Sequence, residues 1–235
     1  MAIATMMAKE DQIRKDICRV CQMMYDRQLI GGPAGNVSVR FSEEMFLMTP
    51  SISFKQFLTP DQVIFVNGQG EKVGPHTAAN RELKPTSETS LHLEIYRQRP
   101  DVNSVVHAHP SHCVALTTAG IPLRPQVLNE GLLFVGSTPT ARYGTPTTDE
   151  LSESISDLVK THDAVLLAYH GAITLGTDIW KAYSRMEVLE QTAYIQILVH
   201  SLGGEVPLPK ESLEKLIALR NKMGMGLSSD PELLD

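Results

Sequence analysis

The chain has 235 residues, 42% of them hydrophobic and 20% charged, with a formal net charge of −6. That length suffices for a single domain with a buried core, predicted over residues 1–235. The negative balance excludes an electrostatic footprint for nucleic acid, and no apolar run approaches the roughly 18 residues that span a bilayer.

Met1–Met7 is apolar but lacks a basic n-region and is followed by Lys9-Glu10-Asp11, so no secretory signal is predicted. Ile13, Ile17, Val20 and Met24 recur at helical spacing and predict a helix over Glu10–Leu29. Cys18 and Cys21 lie on that pattern and are read as core thiols, not as a redox or zinc pair. Few cysteines and no leader predict a cytoplasmic protein. Gly and Pro make residues 30–36 a loop, and strands are predicted over 37–41, 45–48 and 62–66, with a turn after the last. Pro85 and Thr86 are expected to open a helix reaching Arg97, with Thr86 as N-cap and Glu88 in the first turn.

A strand is predicted over 102–109, a short helix over 111–119 and one or two strands over 132–142. A helix over 148–160 and a buried strand over 164–169 follow, then helices over 178–202 and 209–223 and a loose tail from Gly224. Mixed strands and helices with short early connections predict a layered α/β domain with a mixed, largely antiparallel sheet.

The stretch VVHAHPSHC, residues 105–113, carries three of the eight histidines. Alternate strand residues share a face, so His107 and His109 project together while Val106 and Ala108 turn to the other side. His112 lies past the Pro110 break and is read as facing elsewhere. His170 ends a buried apolar run, where a loop is expected to emerge from the core. Glu88, with Thr86 and Ser87 beside it, sits where a helix N-terminus would present free N–H groups to an anion. Three histidines and a carboxylate form a set that suits zinc. The loop GGPAGNVSVR adds Asn36 and Ser38, and MTPS adds Thr49 and Ser51, all neutral donors able to hold a phosphate or polyol. His92 is read as helix packing or a subunit contact, and His76, His162 and His200 as surface residues.

In this order, Gly35-Asn36-x-Ser38, Thr49-Pro50-Ser51, Thr86-Ser87-Glu88, His107-x-His109 and His170-Gly171 resemble the class II aldolase/adducin superfamily, and its fuculose-phosphate aldolase branch most closely. The similarity runs over about residues 10–205. It implies a three-layer α/β/α sandwich and a divalent metal on His107, His109 and His170, with Glu88 as a fourth ligand. Zinc is the usual metal; manganese and cobalt suit the same donors. It also implies a homotetramer with active sites at subunit contacts, and a phosphorylated sugar held by Asn36, Ser38, Ser51, Thr86 and Ser87.

The implied reaction is a retro-aldol cleavage of a ketose 1-phosphate to dihydroxyacetone phosphate and an aldehyde. The metal would polarise the carbonyl, and Glu88 would leave the metal to act as base, its pKa rising in a desolvated site. A decarboxylase or dehydratase on the same site is the second reading, and a non-enzymatic adducin-like interaction domain the third. Two departures stand out. Ile52 replaces the Gly that often follows Thr-Pro-Ser, and the tyrosines that handle the aldehyde fall near Gln126 and Met225, with Tyr143 or Glu130 as candidate substitutes.

Overall fold

In the computed structural model, residues 2–227 and 229–234 are described. Eight strands form one sheet in the order β4-β3-β2-β1-β5-β8-β7-β6. They are β1 (Asn36–Arg40), β2 (Met45–Met48), β3 (Ile64–Asn67), β4 (Lys72–Val73), β5 (Ser104–Ala108), β6 (Thr140–Ala141), β7 (Ala164–Leu167) and β8 (Gly171–Gly176). Every pairing is antiparallel except the parallel one between β6 and β7.

Strand alternation sorts the side chains into two cores, one on each face of the sheet. On one face Val37, Val39, Leu47, Val106 and Ala108 pack with α1 (Ala2–Asp26), α3 (Ser111–Thr118) and α5 (Ile179–Ser201). On the other, Phe46, Met48, Val105, Val165 and Ile173 pack with α2 (Thr89–Gln98) and α4 (Asp149–Ile155). A further helix, α6 (Lys210–Lys222), precedes the C-terminal tail. The result is the expected α/β/α layering around a mixed, mostly antiparallel sheet. Cys21 packs into the first core with its thiol pushed up to about 12 by burial, which leaves it inert.

Several local expectations are corrected. The helix expected from Thr86 begins at Thr89, with Glu88 at the N-cap. Pro50 and Pro85 form an antiparallel bridge, so the chain is still extended where Thr86 was expected to cap. Residues 131–135 form a π-helical turn rather than a strand, and only the short β6 follows it. The loop expected after His170 is instead the tight turn of a β7–β8 hairpin, in which Tyr169 adopts φ 59°. The tail is anchored: Arg220, fully buried, pairs with Asp230 at 3.1 Å, and Leu233 is buried. His162 is buried, not a surface residue.

Candidate metal centre and adjoining cavity

Register places the candidate ligands side by side. Asn36 on β1 pairs with His107 on β5, and His107 pairs in turn with Ile173 on β8. Asn36 and His107 therefore project from neighbouring strands onto the face covered by α2. His109 follows two residues later on the same side, and the β7–β8 turn brings in His170. Gly171 must be glycine here, because a Cβ would collide with the Ala108 carbonyl and push the hairpin away from β5.

The three imidazoles converge. Ring centroids of His107, His109 and His170 lie 4.8–4.9 Å apart, and one nitrogen from each falls within 4.8 Å of the others. His107 Nε2 is 3.0 Å from His109 Nε2. The Glu88 carboxylate closes the group, at 3.2 Å from His107 Nε2 and 3.3 Å from His170 Nε2.

These donors fit a cation. Donors about 2.05 Å from a tetrahedral zinc stand roughly 3.3 Å from one another, close to the separations here. His107 Nδ1 donates to the Ala172 carbonyl at 3.0 Å, which leaves Nε2 with its lone pair aimed at the cluster. Buried His170 Nδ1 has no partner within the protein. Burial, reinforced by His107, pushes the His109 imidazole down to about 3, and the same causes take His170 to about 4. Neutral imidazoles are what a cation requires. Burial alone would raise the Glu88 carboxyl, but His107, the Asn36 amide and His170 outweigh it and hold it below the usual carboxylate range. In the ion-free protein, then, desolvation does not dominate at Glu88.

Beside this cluster lies a cavity of about 160 Å³ lined by Asn36, Ser51, Thr86, Ser87, Glu88, His109 and His170. The Pro50–Pro85 bridge and the Thr86 N–H to Thr49 carbonyl bond (3.2 Å) hold its two hydroxyl-bearing loops together. Thr49 itself is buried, its hydroxyl accepting from the Val37 N–H.

Ser38 is a correction. It shares a strand face with Asn36 but lies one step deeper under α2, fully buried, bonded to His92 Nδ1 at 2.6 Å and Tyr96 at 2.7 Å. It does not line the cavity. Asn36 does, yet its Nδ2 already donates to Glu88 Oε2 at 2.7 Å. His112 faces away, its Nδ1 2.7 Å from Glu190 on α5. Glu130 lines a different cavity, with Arg124 and Val206. Tyr143 packs edge-on against Tyr169, the residue before His170.

Two residues were missed by sequence reasoning. Lys55 is 2% exposed and lines the cavity, its ammonium donating to Pro33 O (3.1 Å) and Ser53 O (2.8 Å). It ties the two flanking loops together, and burial lowers its pKa. A lone Lys in a loop gives no periodic signal of such burial. His92, read as packing, instead joins Ser38 to Asn36. Its spacing of four from Glu88, one helical turn, was the available signal. At the cavity mouth Ile52 adopts φ 48°, a left-handed backbone that favours the Gly expected there.

Comparison with known proteins identifies a family and several similar structures. Residues 15–197 match the class II aldolase and adducin N-terminal domain family. An L-fuculose phosphate aldolase of Methanococcus maripaludis is 31% identical over 185 residues, covering 79% of this chain and 96% of its own. One from Escherichia coli is 31% identical, covering 91% of this chain and 95% of its own. Among solved structures, an L-fuculose 1-phosphate aldolase superposes with a TM-score of 0.80 at 25% identity, covering 91% of this chain and 96% of its own. The l-fuculose-1-phosphate aldolase of Thermus thermophilus superposes with a TM-score of 0.66 at 30% identity, covering 83% of this chain and 97% of its own.

Proposed function

The chain belongs to the class II aldolase and adducin family, and within it we propose a metal-dependent aldolase. It cleaves a ketose 1-phosphate, fuculose- or 5-deoxypentulose-like, to dihydroxyacetone phosphate and an aldehyde. The observation that carries this reading is the convergence of three imidazoles and Glu88 beside a cavity lined by hydroxyls and an amide. The same convergence argues against a purely adducin-like interaction domain, which has no use for such a set.

His107, His109 and His170 would hold the divalent ion, with Glu88 as the fourth donor; zinc is the first choice and manganese or cobalt suit the same atoms. Bound there, the ion supplies Lewis-acid polarisation of a substrate carbonyl. The remaining work falls to the chain's own groups. Among the described residues Glu88 is the only acidic side chain lining the cavity. Ionised at rest by its lowered pKa, it accepts the proton of the hydroxyl that becomes the aldehyde oxygen as the carbon–carbon bond breaks. It returns that proton to the carbon next to the carbonyl, which keeps the electron pair of the broken bond. Ser51, Thr86 and Ser87 offer hydroxyls to the phosphate, with the second N–H of Asn36 beside them, and the Lys55 charge offsets the anion from below. Tyr143, on the His170 side, is the better placed of the two candidates for the aldehyde half.

We infer a cytoplasmic homotetramer with active sites at subunit contacts. The support is apolar surface beside the cavity: Ile52, Phe54 and Phe57 are 89%, 57% and 74% exposed.

A panel of ketose 1-phosphates, coupled to detection of triose phosphate, tests the reaction. Dihydroxyacetone phosphate in step with substrate loss is expected. Carbon dioxide without triose phosphate would give the site to a decarboxylase, and loss of water alone to a dehydratase.

A further inference from the structure

Glu88 stands at the end of a chain of buried side chains running between β1 and α2. Tyr96 Oη is 2.7 Å from Ser38 Oγ, and Ser38 Oγ is 2.6 Å from His92 Nδ1. His92 Nε2 is 2.5 Å from Asn36 Oδ1, and Asn36 Nδ2 is 2.7 Å from Glu88 Oε2. The exposures of the five, from Tyr96 to Glu88, are 3%, 0%, 0%, 5% and 7%, so water cannot replace a missing link.

The direction of every link follows from the last. An ionised carboxylate only accepts, so Asn36 must present its NH₂ to Glu88. That leaves the amide oxygen for His92, which must donate from Nε2. Burial, then the neighbouring His107, holds this imidazole neutral, down to about 3, so Nδ1 is bare and accepts from Ser38. Ser38 has then used its proton, and its oxygen accepts from Tyr96. The far end is fixed in the core, where the Tyr96 ring stacks on Phe46 at 4.6 Å and under Arg40 at 4.8 Å.

We propose that His92 is a positioning residue for the proton-moving Glu88, holding the Asn36 amide in the one orientation that donates to the carboxylate. The proposal rests on the reading of Glu88 given above. The two ends of an Asn side chain have almost the same shape, so packing alone does not choose between them. The Nε2–H of His92 chooses. With the amide reversed, two acceptors would face each other beside the cavity, and Glu88 would turn away from the position between His107 and His170.

Two measurements test this. In ion-free protein labelled with ¹⁵N-histidine, long-range ¹H–¹⁵N spectra should show His92 protonated at Nε2 and bare at Nδ1. The opposite tautomer overturns the chain, and this readout needs neither a variant nor turnover. In the metal-loaded enzyme, His92→Gln retains an N–H for Asn36 and His92→Phe retains only the ring. His92→Phe is expected to lower kcat about 10- to 100-fold with KM changed less than about threefold, the scale of one lost buried hydrogen bond. His92→Gln should restore most of kcat. Equal losses in the two variants, or full kcat in a folded His92→Phe, overturn the positioning role. Should His92→Phe not fold, Ser38→Ala, which removes the donor to Nδ1, must still lower kcat more than KM; unchanged kcat there overturns it as well. A Glu88→Gln enzyme with full turnover would instead remove the base on which the proposal rests, whatever tautomer His92 shows.

Discussion

Strands β5, β7 and β8 carry a buried polar cluster at each end, and the two are built on opposite principles. At one end Asp163 accepts from Arg99 at 2.9 Å through one oxygen and from Arg185 at 2.7 Å through the other. The guanidinium groups go on to backbone carbonyls, Arg99 to Val159 and Arg185 to Phe134 and Leu175. Donors meet acceptors, and the cluster is closed. At the other end His107 and His109 set nitrogen against nitrogen at 3.0 Å, Glu88 leans on two imidazoles, and His170 Nδ1 has no partner. That cluster is open, with a donor set that could hold a cation. Burial alone does not separate a structural polar cluster from a functional one; donor–acceptor balance does.

The contrast is broken most severely at the open end by Glu88→Gln. Turnover should fall about 10²- to 10⁴-fold, the range for loss of a general base, while the urea midpoint stays near that of the parent. Steady-state kinetics and equilibrium unfolding of one preparation check both halves, and retained turnover would take Glu88 out of the base role. At the closed end the outcome inverts. Asp163→Leu leaves buried Arg185 without a carboxylate and Arg99 with Asp101 alone, and should cost about 3–5 kcal/mol in urea unfolding. The ion content of the molecules that remain folded should match the parent.

A pH series sharpens the same distinction. In the ion-free protein His92 and His109 titrate at about 3 and His170 at about 4, against about 6.5 for imidazoles in an unfolded chain. As pH falls through about 6.5 the unfolded chain takes up protons that the folded chain refuses. Stability is therefore fully present above that value and is lost progressively toward about 3. Glu88, held low in the fold, extends the loss below about 4.5. The urea midpoint followed by circular dichroism should fall steadily from pH 7 to 4.5 without ion. Saturating divalent ion should hold it higher at the neutral end, the gap closing as pH falls. A midpoint independent of pH would contradict the buried neutral imidazoles.

The smallest effect belongs to the cavity mouth. Ile52→Gly relieves a β-branched residue at φ 48° but adds chain entropy, so a net gain of about 1 kcal/mol or less is expected in urea unfolding. A loss would show that the Ile52 side chain makes contacts that matter more than its backbone.

Much of the site was legible because strand parity is a local rule. His107 and His109 were placed on one face and Val106 and Ala108 on the other from spacing alone, and that is where they stand. Ser38 was misplaced by the resemblance, which put it in the phosphate pocket. It does share the face of Asn36, but depth along the strand depends on where α2 crosses, which no local pattern encodes. The start of α2 was misread for a related reason: Thr86 has the chemistry of a cap, yet the Pro50–Pro85 bridge keeps it extended. Strand β8 was missed because its first two residues, Gly171 and Ala172, show no alternation and its place is fixed by pairing with β5 and β7. Lys55 and the His92 chain are tertiary facts throughout, assembled from segments 22 to 58 residues apart that meet only in the fold.

The open cluster is tested most directly by its ion content. Protein purified without chelator and dialysed against metal-free buffer should retain about one divalent ion per chain by elemental analysis, the number its ligand set can hold. His109→Ala should retain almost none while keeping the circular dichroism of the parent. A folded parent chain with no ion, and no uptake when zinc, manganese or cobalt is titrated in, would contradict the assignment of this cluster as a metal centre.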